Sequence, residues 1–318
     1  MLLKFIIRLL IWTVCTYIAL TAVCLFYADP AMQNCELKQE RRNRERLARL
    51  VGSRLVLVGG SNVMYGFNSP RIERTFGIPV VNLGLHAGFG LIFQLDAVKR
   101  NLHKGDVVVL LPEYANFDSN GSCYGKMVMI SAITDILSMK DVGLPWQCWA
   151  HNWFAIPQLG ARKAMHFLRI RKGAGDVPDS WWNEQGDTIR HWNCDTPTFK
   201  PSSGSPSQVA PCDDVVRYMH EFKEFAESKG AKVFLFPPAF TETGYNGDLK
   251  YYDKIAKLMQ RSGFPFRAPL GRYAFADELI YDSPYHLNRR GLEERTRRFI
   301  EDIGPLMDEC VTNGKIGK

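Results

Sequence analysis

LVLVGG, from Leu55 to Gly60, decides the fold. It is an unbroken apolar run that stops at two glycines. A strand lying on a surface would alternate polar and apolar residues, so a continuous run reads as a strand buried on both faces of a parallel sheet. Working outward, the pattern repeats. A short helix is expected around Pro70 to Phe76, then a strand at IPVVNLGL (Ile78 to Leu85) that enters the glycine-containing loop HAGFG. A helix from Leu91 to Leu102 leads through HKGD to a third strand, VVVLLP (Val107 to Pro112). Further on come an amphipathic helix (Asp213 to Lys229), the strand AKVFLFPP (Ala231 to Pro238), a helix near Leu249 to Ser262, and a last helix from after His286 to the region of Met307. Strands and helices alternating at this spacing predict an α/β fold: a three-layer α/β/α sandwich with a mostly parallel, doubly wound sheet.

Between the third strand and the Asp213 helix the period is lost. The stretch 146–211 holds six of the seven tryptophans and much of the proline, and is expected to be an insertion, helical near Ile156 to Arg171 and loop-like from Thr196 to Pro211. Its aromatic residues (Trp146, Trp149, Trp153, Trp181, Trp182 and Trp192) fit either a sugar-stacking platform or the packing of a small subdomain. The main domain is therefore read as residues 54–310 with an insertion at about 146–211, preceded by a linker helix within 31–53.

The N-terminus has a different character. Leu9 to Ala28 is twenty residues without a charge, preceded by Lys4 and Arg8. At about 1.5 Å per residue such a helix spans roughly 30 Å, the thickness of a bilayer's hydrocarbon core. Trp12 and Tyr27 suit the interfacial aromatic belt. No small-x-small cleavage site follows, and a valine stands before Cys24 where a lipoprotein signal needs a small residue, so residues 1–30 are read as an uncleaved single-pass anchor. Two indications of orientation oppose each other. The cations between Lys38 and Arg49 outnumber those before the helix, which by the positive-inside rule leaves the globular part in the cytoplasm; the very short N-terminal tail resembles an export signal. The expectation taken forward is an inner-membrane protein with a periplasmic globular domain.

Composition narrows the partners. With 46% hydrophobic and 23% charged residues the chain can bury a large core, which excludes intrinsic disorder. Much of the net charge of +7 lies in RRNRERLAR (Arg41 to Arg49), five arginines against one glutamate. No aromatic interleaving or nucleic-acid motif accompanies it, so nucleic acid is not an expected partner; at helical spacing it reads as a solvated or headgroup-facing helix. No Cys/His metal spacing, phosphate loop or dinucleotide fingerprint appears, so neither metal nor cofactor is expected. Six cysteines lie outside the apolar run, and Cys194 and Cys212 bracket a loop that a disulfide would staple.

Two segments carry the chemistry. In VGGSNVMYGFNS (Val58 to Ser69), Ser61 stands just past the carboxyl end of the first strand, where open α/β sheets place ligand sites; the bland alternative is a helix N-cap. In YDSPYHLNRRG (Tyr281 to Gly291), Asp282 and His286 precede the final helix. A serine hydroxyl needs a base near neutral pH, histidine has a suitable pKa, and a carboxylate fixes its tautomer. Alternatively, Asp282 caps the helix and His286 packs.

Together GGSN (Gly59 to Asn62), VVNLGLHAGFG (Val80 to Gly90) and DSPYHLN (Asp282 to Asn288), followed by Gly291, resemble the SGNH/GDSL hydrolase family. The resemblance implies Ser61 as nucleophile, His286 as its base and Asp282 as the residue that orients His286. It implies an oxyanion hole from the backbone N–H of Ser61 and of Gly88 (Gly84 being the alternative), with Asn116 as a side-chain donor. Three departures stand out: Gly60 replaces the GDS aspartate, three residues rather than two separate Asp282 from His286, and the third strand ends LLPEYANF (Leu110 to Phe117), with Tyr114 near the usual asparagine position. Glu113 there reads as a pocket wall or a salt-bridge partner, and His86 as a loop residue. With the anchor, the pattern resembles membrane-tethered members from bacterial envelope polysaccharide systems. That implies an esterase or O-acyltransferase, acetyl being the expected group, acting on an acylated polysaccharide or sugar, with envelope assembly partners. A non-catalytic glycan-binding or scaffold member is the alternative.

Overall fold

The computed structural model describes residues 2–26, 35–117, 161, 164, 165, 168, 179–200, 211 and 213–312. The chain divides into two compact units, residues 1–38 with 124–177 and residues 39–123 with 178–318. In the first, helix α1 (Leu2–Phe26) contains the span Leu2–Val23, with mean hydropathy 2.0, long and apolar enough to cross a membrane; a signal sequence meets the same criteria. The helix expected near Ile156 to Arg171 falls largely outside the described residues, as do Trp146, Trp149 and Trp153.

The second unit is built on four parallel strands, β1 (Leu55–Gly59), β2 (Val80–Gly84), β3 (Val107–Leu111) and β4 (Lys232–Leu235), in the order β2-β1-β3-β4. Every residue of β1, β2 and β3 is buried, which is why they read as apolar runs rather than alternating ones. Alternate side chains serve opposite faces. Val56, Val58, Val81, Leu83, Val108 and Leu110 join one core with α5 (Leu91–Lys99), α6 (Asp213–Ser228) and α8 (Leu249–Arg261). Leu55, Leu57, Val80, Val107, Val109 and Leu111 join the other, with α4 (Ser69–Phe76) and the C-terminal helix α9 (Arg289–Thr312). The three-layer α/β/α sandwich is thus the observed architecture.

Helix α2 (Cys35–Arg49) is docked onto the domain rather than forming a free linker. Leu47 is fully buried, and Asn43 Nδ2 donates to the Asn82 carbonyl at 2.8 Å. Buried Arg54 donates to the carbonyls of Leu47 and Leu50, closing the end of α2, while its other nitrogens pair with Asp106. A cation at a helix C-terminus is favoured by the orphan carbonyls there.

Three elements are additional to those read from the sequence: the four-residue helix α3 (Ser61–Met64), the helix α7 (Glu242–Gly247), and a two-residue parallel pair, β5 (Phe240–Thr241) with β6 (Ala274–Phe275). None is long enough to show a period. The Cys194 Sγ donates to the Thr196 carbonyl at 3.4 Å; Cys212, with which a staple was expected, lies outside the described residues.

The strand order has a functional consequence. From β1 the chain moves to β2 on one side, then crosses back to β3 on the other. The order therefore reverses between β1 and β3, the place at whose carboxyl ends open α/β sheets bind ligands.

Candidate active site

Ser61 is the first residue of α3, immediately beyond β1, and only 9% exposed. Its Oγ donates to Glu113 Oε1 at 3.1 Å, and the Asn62 N–H donates to the same oxygen at 3.1 Å. The loops after β1 and β3 are thereby bridged. Gly60 explains how: a Cβ there would stand 2.3 Å from Glu113 Oε1. The glycine at position 60 and the glutamate at position 113 form one arrangement, in which a carboxylate from the loop after β3 occupies the space beside residue 60.

The turn is anchored from below. Asn62 Nδ2 donates to the Leu111 carbonyl at 3.1 Å, and the Asn62 backbone and side-chain oxygens both accept from Arg295 of α9. Arg295 is fully buried; burial pushes its pKa down to about 9, against the opposing pull of Tyr273 and Glu113. It remains a cation at neutral pH and offsets the buried Glu113 carboxylate.

Asp282 and His286 come together, with His286 Nδ1 and Asp282 Oδ1 2.7 Å apart. The three-residue spacing is absorbed by a tight loop. Tyr281 N donates to the His286 carbonyl, His286 N to the Ser283 carbonyl, and Ile280 bridges Leu287. Asn288 fixes the exit, donating to the Glu278 carbonyl at 2.7 Å and accepting from Gly291 N at 3.1 Å. Burial raises the Asp282 pKa, but the hydrogen bond to His286, together with the charges of His286 and Arg190, more than reverses this and holds the carboxyl below its usual value. With Nδ1 paired to the carboxylate, Nε2 is the ring nitrogen left for another partner. Nε2 is buried and has no hydrogen-bond partner among the described residues.

The two segments meet through Tyr65, which follows α3. Its ring stacks on His286 with centroids 4.0 Å apart and 7° between planes. Tyr65 N also donates to the Ser61 carbonyl at 2.9 Å, so one short turn carries both Ser61 and the ring that packs against His286. Tyr285 approaches from the same loop as His286: its hydroxyl accepts from Ala115 N at 3.4 Å, and burial together with the Glu113 charge raises its pKa well above the ordinary value. Ser61 and His286 are not hydrogen-bonded to each other, the serine's proton being directed to Glu113.

The oxyanion candidates separate. The Gly84 N–H donates to Asn82 Oδ1 at 2.8 Å, and a Cβ on Gly84 would stand 2.2 Å from Met64 N, so that residue serves close packing of β2 on α3. Gly88 lies in the single turn Ala87–Phe89, just before α5. Asn116 is buried, and its Oδ1 accepts from Glu113 N at 2.8 Å, which leaves its NH2 as the side chain's donor. Tyr114 packs into the core against Phe240 and Tyr252, and His86 is exposed.

The returning end of the insertion adds residues that no periodicity marked. Arg190 lies 5.3 Å from the Tyr65 ring centroid and 4.7 Å from that of Trp181, with Nη2 3.9 Å from Asp282 Oδ2. His191 Nε2 lies 3.1 Å from the Tyr65 carbonyl, and burial drives its pKa down to about 4. Asp187 fastens this segment. It is fully buried and accepts from Ser69, Asn82 and Asn183; even so, burial keeps its carboxyl above the usual range. The only advance signal was Glu113's place at a strand's carboxyl end.

No protein-family model and no curated protein matches the chain. A solved structure from Streptococcus pneumonia, provisionally described as a platelet activating factor, is 15% identical; the likeness covers 85% of this chain and 91% of that one, with a TM-score of 0.30.

Proposed function

We propose that this protein is a serine-dependent esterase or O-acyltransferase of SGNH type, acting on acylated glycan at the periplasmic face of the inner membrane. The carrying observation is the 2.7 Å pairing of His286 with Asp282 in a loop whose imidazole stacks on Tyr65, a residue of the same turn as Ser61. In the reaction Ser61 Oγ turns from Glu113 to His286 Nε2 and gives up its proton there as it bonds to the acyl carbon. The ester C–O bond then breaks and the leaving alcohol takes that proton back. In the second half His286 deprotonates the acceptor, water for an esterase or a sugar hydroxyl for a transferase, as its oxygen bonds to the acyl carbon; the acyl–Ser61 bond then breaks and Ser61 Oγ takes the proton back from His286. The backbone N–H groups of Ser61 and Gly88, with the Asn116 NH2, are the donors assigned to the oxyanion. The glycan and acetyl assignments rest on the resemblance of the sequence blocks, as does the periplasmic location.

A second reading follows from one specific observation. Since the Ser61 proton is directed to Glu113 and not to His286, a glycan-binding or scaffold protein retaining the fold without the chemistry is the competing case. Hydrolysis of p-nitrophenyl acetate by the wild type and by Ser61→Ala, alongside labelling with a fluorophosphonate, distinguishes the two. Catalysis requires labelling at Ser61 that disappears in His286→Ala; an unlabelled wild type with equal background rates in all variants sinks the enzymatic reading.

A further inference from the structure

Outside the candidate active site, α2 and the segment 182–184 enclose a cavity of about 590 Å³. Arg42, Arg46 and Arg49 line one side, spaced i, i+4, i+7 and hence on one face of the helix. Trp182, Asn183 and Glu184 line the other. Arg44, on a different face, is engaged by Glu40 at 2.5 Å. The arginine run is thus sorted by direction: three of its five members point at a single concavity.

The lining has donors to spare. The Nε of Arg46 and the indole Nε1 of Trp182 are buried without a hydrogen-bond partner among the described residues. Buried N–H groups left unpaired are costly and call for an acceptor. Arg49 makes no ion pair among the described residues, and the one acid in the lining, Glu184, is 78% exposed in its side chain and meets Arg46 at 3.1 Å. The far wall is rigid, because Asn183 is locked by Asp187, Gly186 and its own side-chain bonds. The cavity is pre-formed, cationic and lined by N–H donors. Forked arginine donors match the oxygens of a phosphate ester, and an indole face suits the glycerol or sugar attached to it.

We infer that this cavity binds a phosphate ester. Two sources share that chemistry, an anionic phospholipid headgroup and a soluble sugar or glycerol phosphate. Eight residues separate the end of α1 from the start of α2, which brings the lipid source into consideration.

The test uses the full chain. In detergent micelles, glycerol phosphate is titrated while tryptophan fluorescence is followed; in vesicles, binding to phosphatidylcholine is compared with binding to phosphatidylcholine containing phosphatidylglycerol. The variants are Trp182→Phe, which removes the reporter N–H, and the pair Arg42→Gln with Arg49→Gln, which leaves Arg46 and its ion pairs in place. The expected result is saturable binding weakened on the order of 10-fold or more in the double variant, with an unchanged melting temperature. A signal confined to phosphatidylglycerol vesicles assigns the lipid source, and one obtained with glycerol phosphate in micelles assigns the soluble one. Absence of binding in both arms, or binding equal in wild type and double variant, overturns the inference.

Discussion

Among individual residues, the site is organised by two carboxylates with different tasks. Asp282 is open to solvent on one side and fixes the tautomer of His286; Glu113 is buried and holds Ser61 at rest. Replacing Asp282 by Asn removes the charge and supplies a donor where an acceptor is needed, so the imidazole loses its productive tautomer. The expected fall in kcat for ester cleavage is on the order of 10³–10⁴ with KM little changed, measured by steady-state kinetics. His191 makes a separate prediction, about stability. Its folded pKa of about 4 lies below its ordinary 6.5. The unfolded chain therefore binds the proton first, and stability is fully present above pH 6.5 and is lost as pH falls towards 4. The contribution at stake is about 3 kcal/mol at 1.36 kcal/mol per unit. Urea unfolding at pH 7 and pH 4.5 should show this loss in the wild type and a clearly smaller one in His191→Gln. Equal losses in the two proteins would mean that other groups carry the acid sensitivity.

For the secondary-structure elements, glycines distinguish the fold from the site. A methyl at Gly84 would meet the Met64 backbone nitrogen at 2.2 Å, so β2 or α3 must shift; a methyl at Gly60 would meet only the movable end of Glu113. Gly84→Ala is expected to cost about 1–3 kcal/mol in thermal unfolding. Gly60→Ala should cost less stability but displace Glu113, changing the rate at which Ser61 is labelled. In Gly304→Ala, within α9 and facing open space, a gain of about 0.5–1 kcal/mol is expected from helix propensity alone. The elements also show what a sequence makes legible. β1 and β3 were readable because burial on both faces demands unbroken apolar runs, and the place of Ser61 followed from where the first run stops; Asp282 and His286 were singled out by the YDSPYHLNRRG segment before the last helix. The β5–β6 pair was not readable, since two residues define no period. Nor were Arg190 and His191: they are held by Asp187 and by the Tyr65 carbonyl, contacts between chain segments more than a hundred residues apart. Nothing in the sequence linked Gly60 to Glu113, and only the β1–β3 juxtaposition reveals the carboxylate that fills the space beside it.

At the level of the whole molecule, α1 raises a question that the globular unit does not answer. Its apolar span runs over 22 residues, Leu2 to Val23, with a mean hydropathy of 2.0. Its length and apolarity are those of a helix able to cross a lipid bilayer. An anchor and a signal sequence share this property and differ only in fate. An uncleaved anchor keeps the full 36.2 kDa, whereas removal of residues 1–30 would subtract roughly 3 kDa, at a mean of about 110 Da per residue. Membranes from expressing cells, washed in alkaline carbonate, should retain the protein, and intact mass should show the complete chain. A variant beginning at Cys35 keeps α2, whose Leu47 and Asn43 contacts belong to the globular unit, and should move to the soluble fraction with an unchanged melting temperature. A shortened mass in the carbonate supernatant would instead make α1 a discarded signal. The globular unit would then be free of the membrane, and any hold on phospholipid would fall to the cationic cavity beside α2 alone.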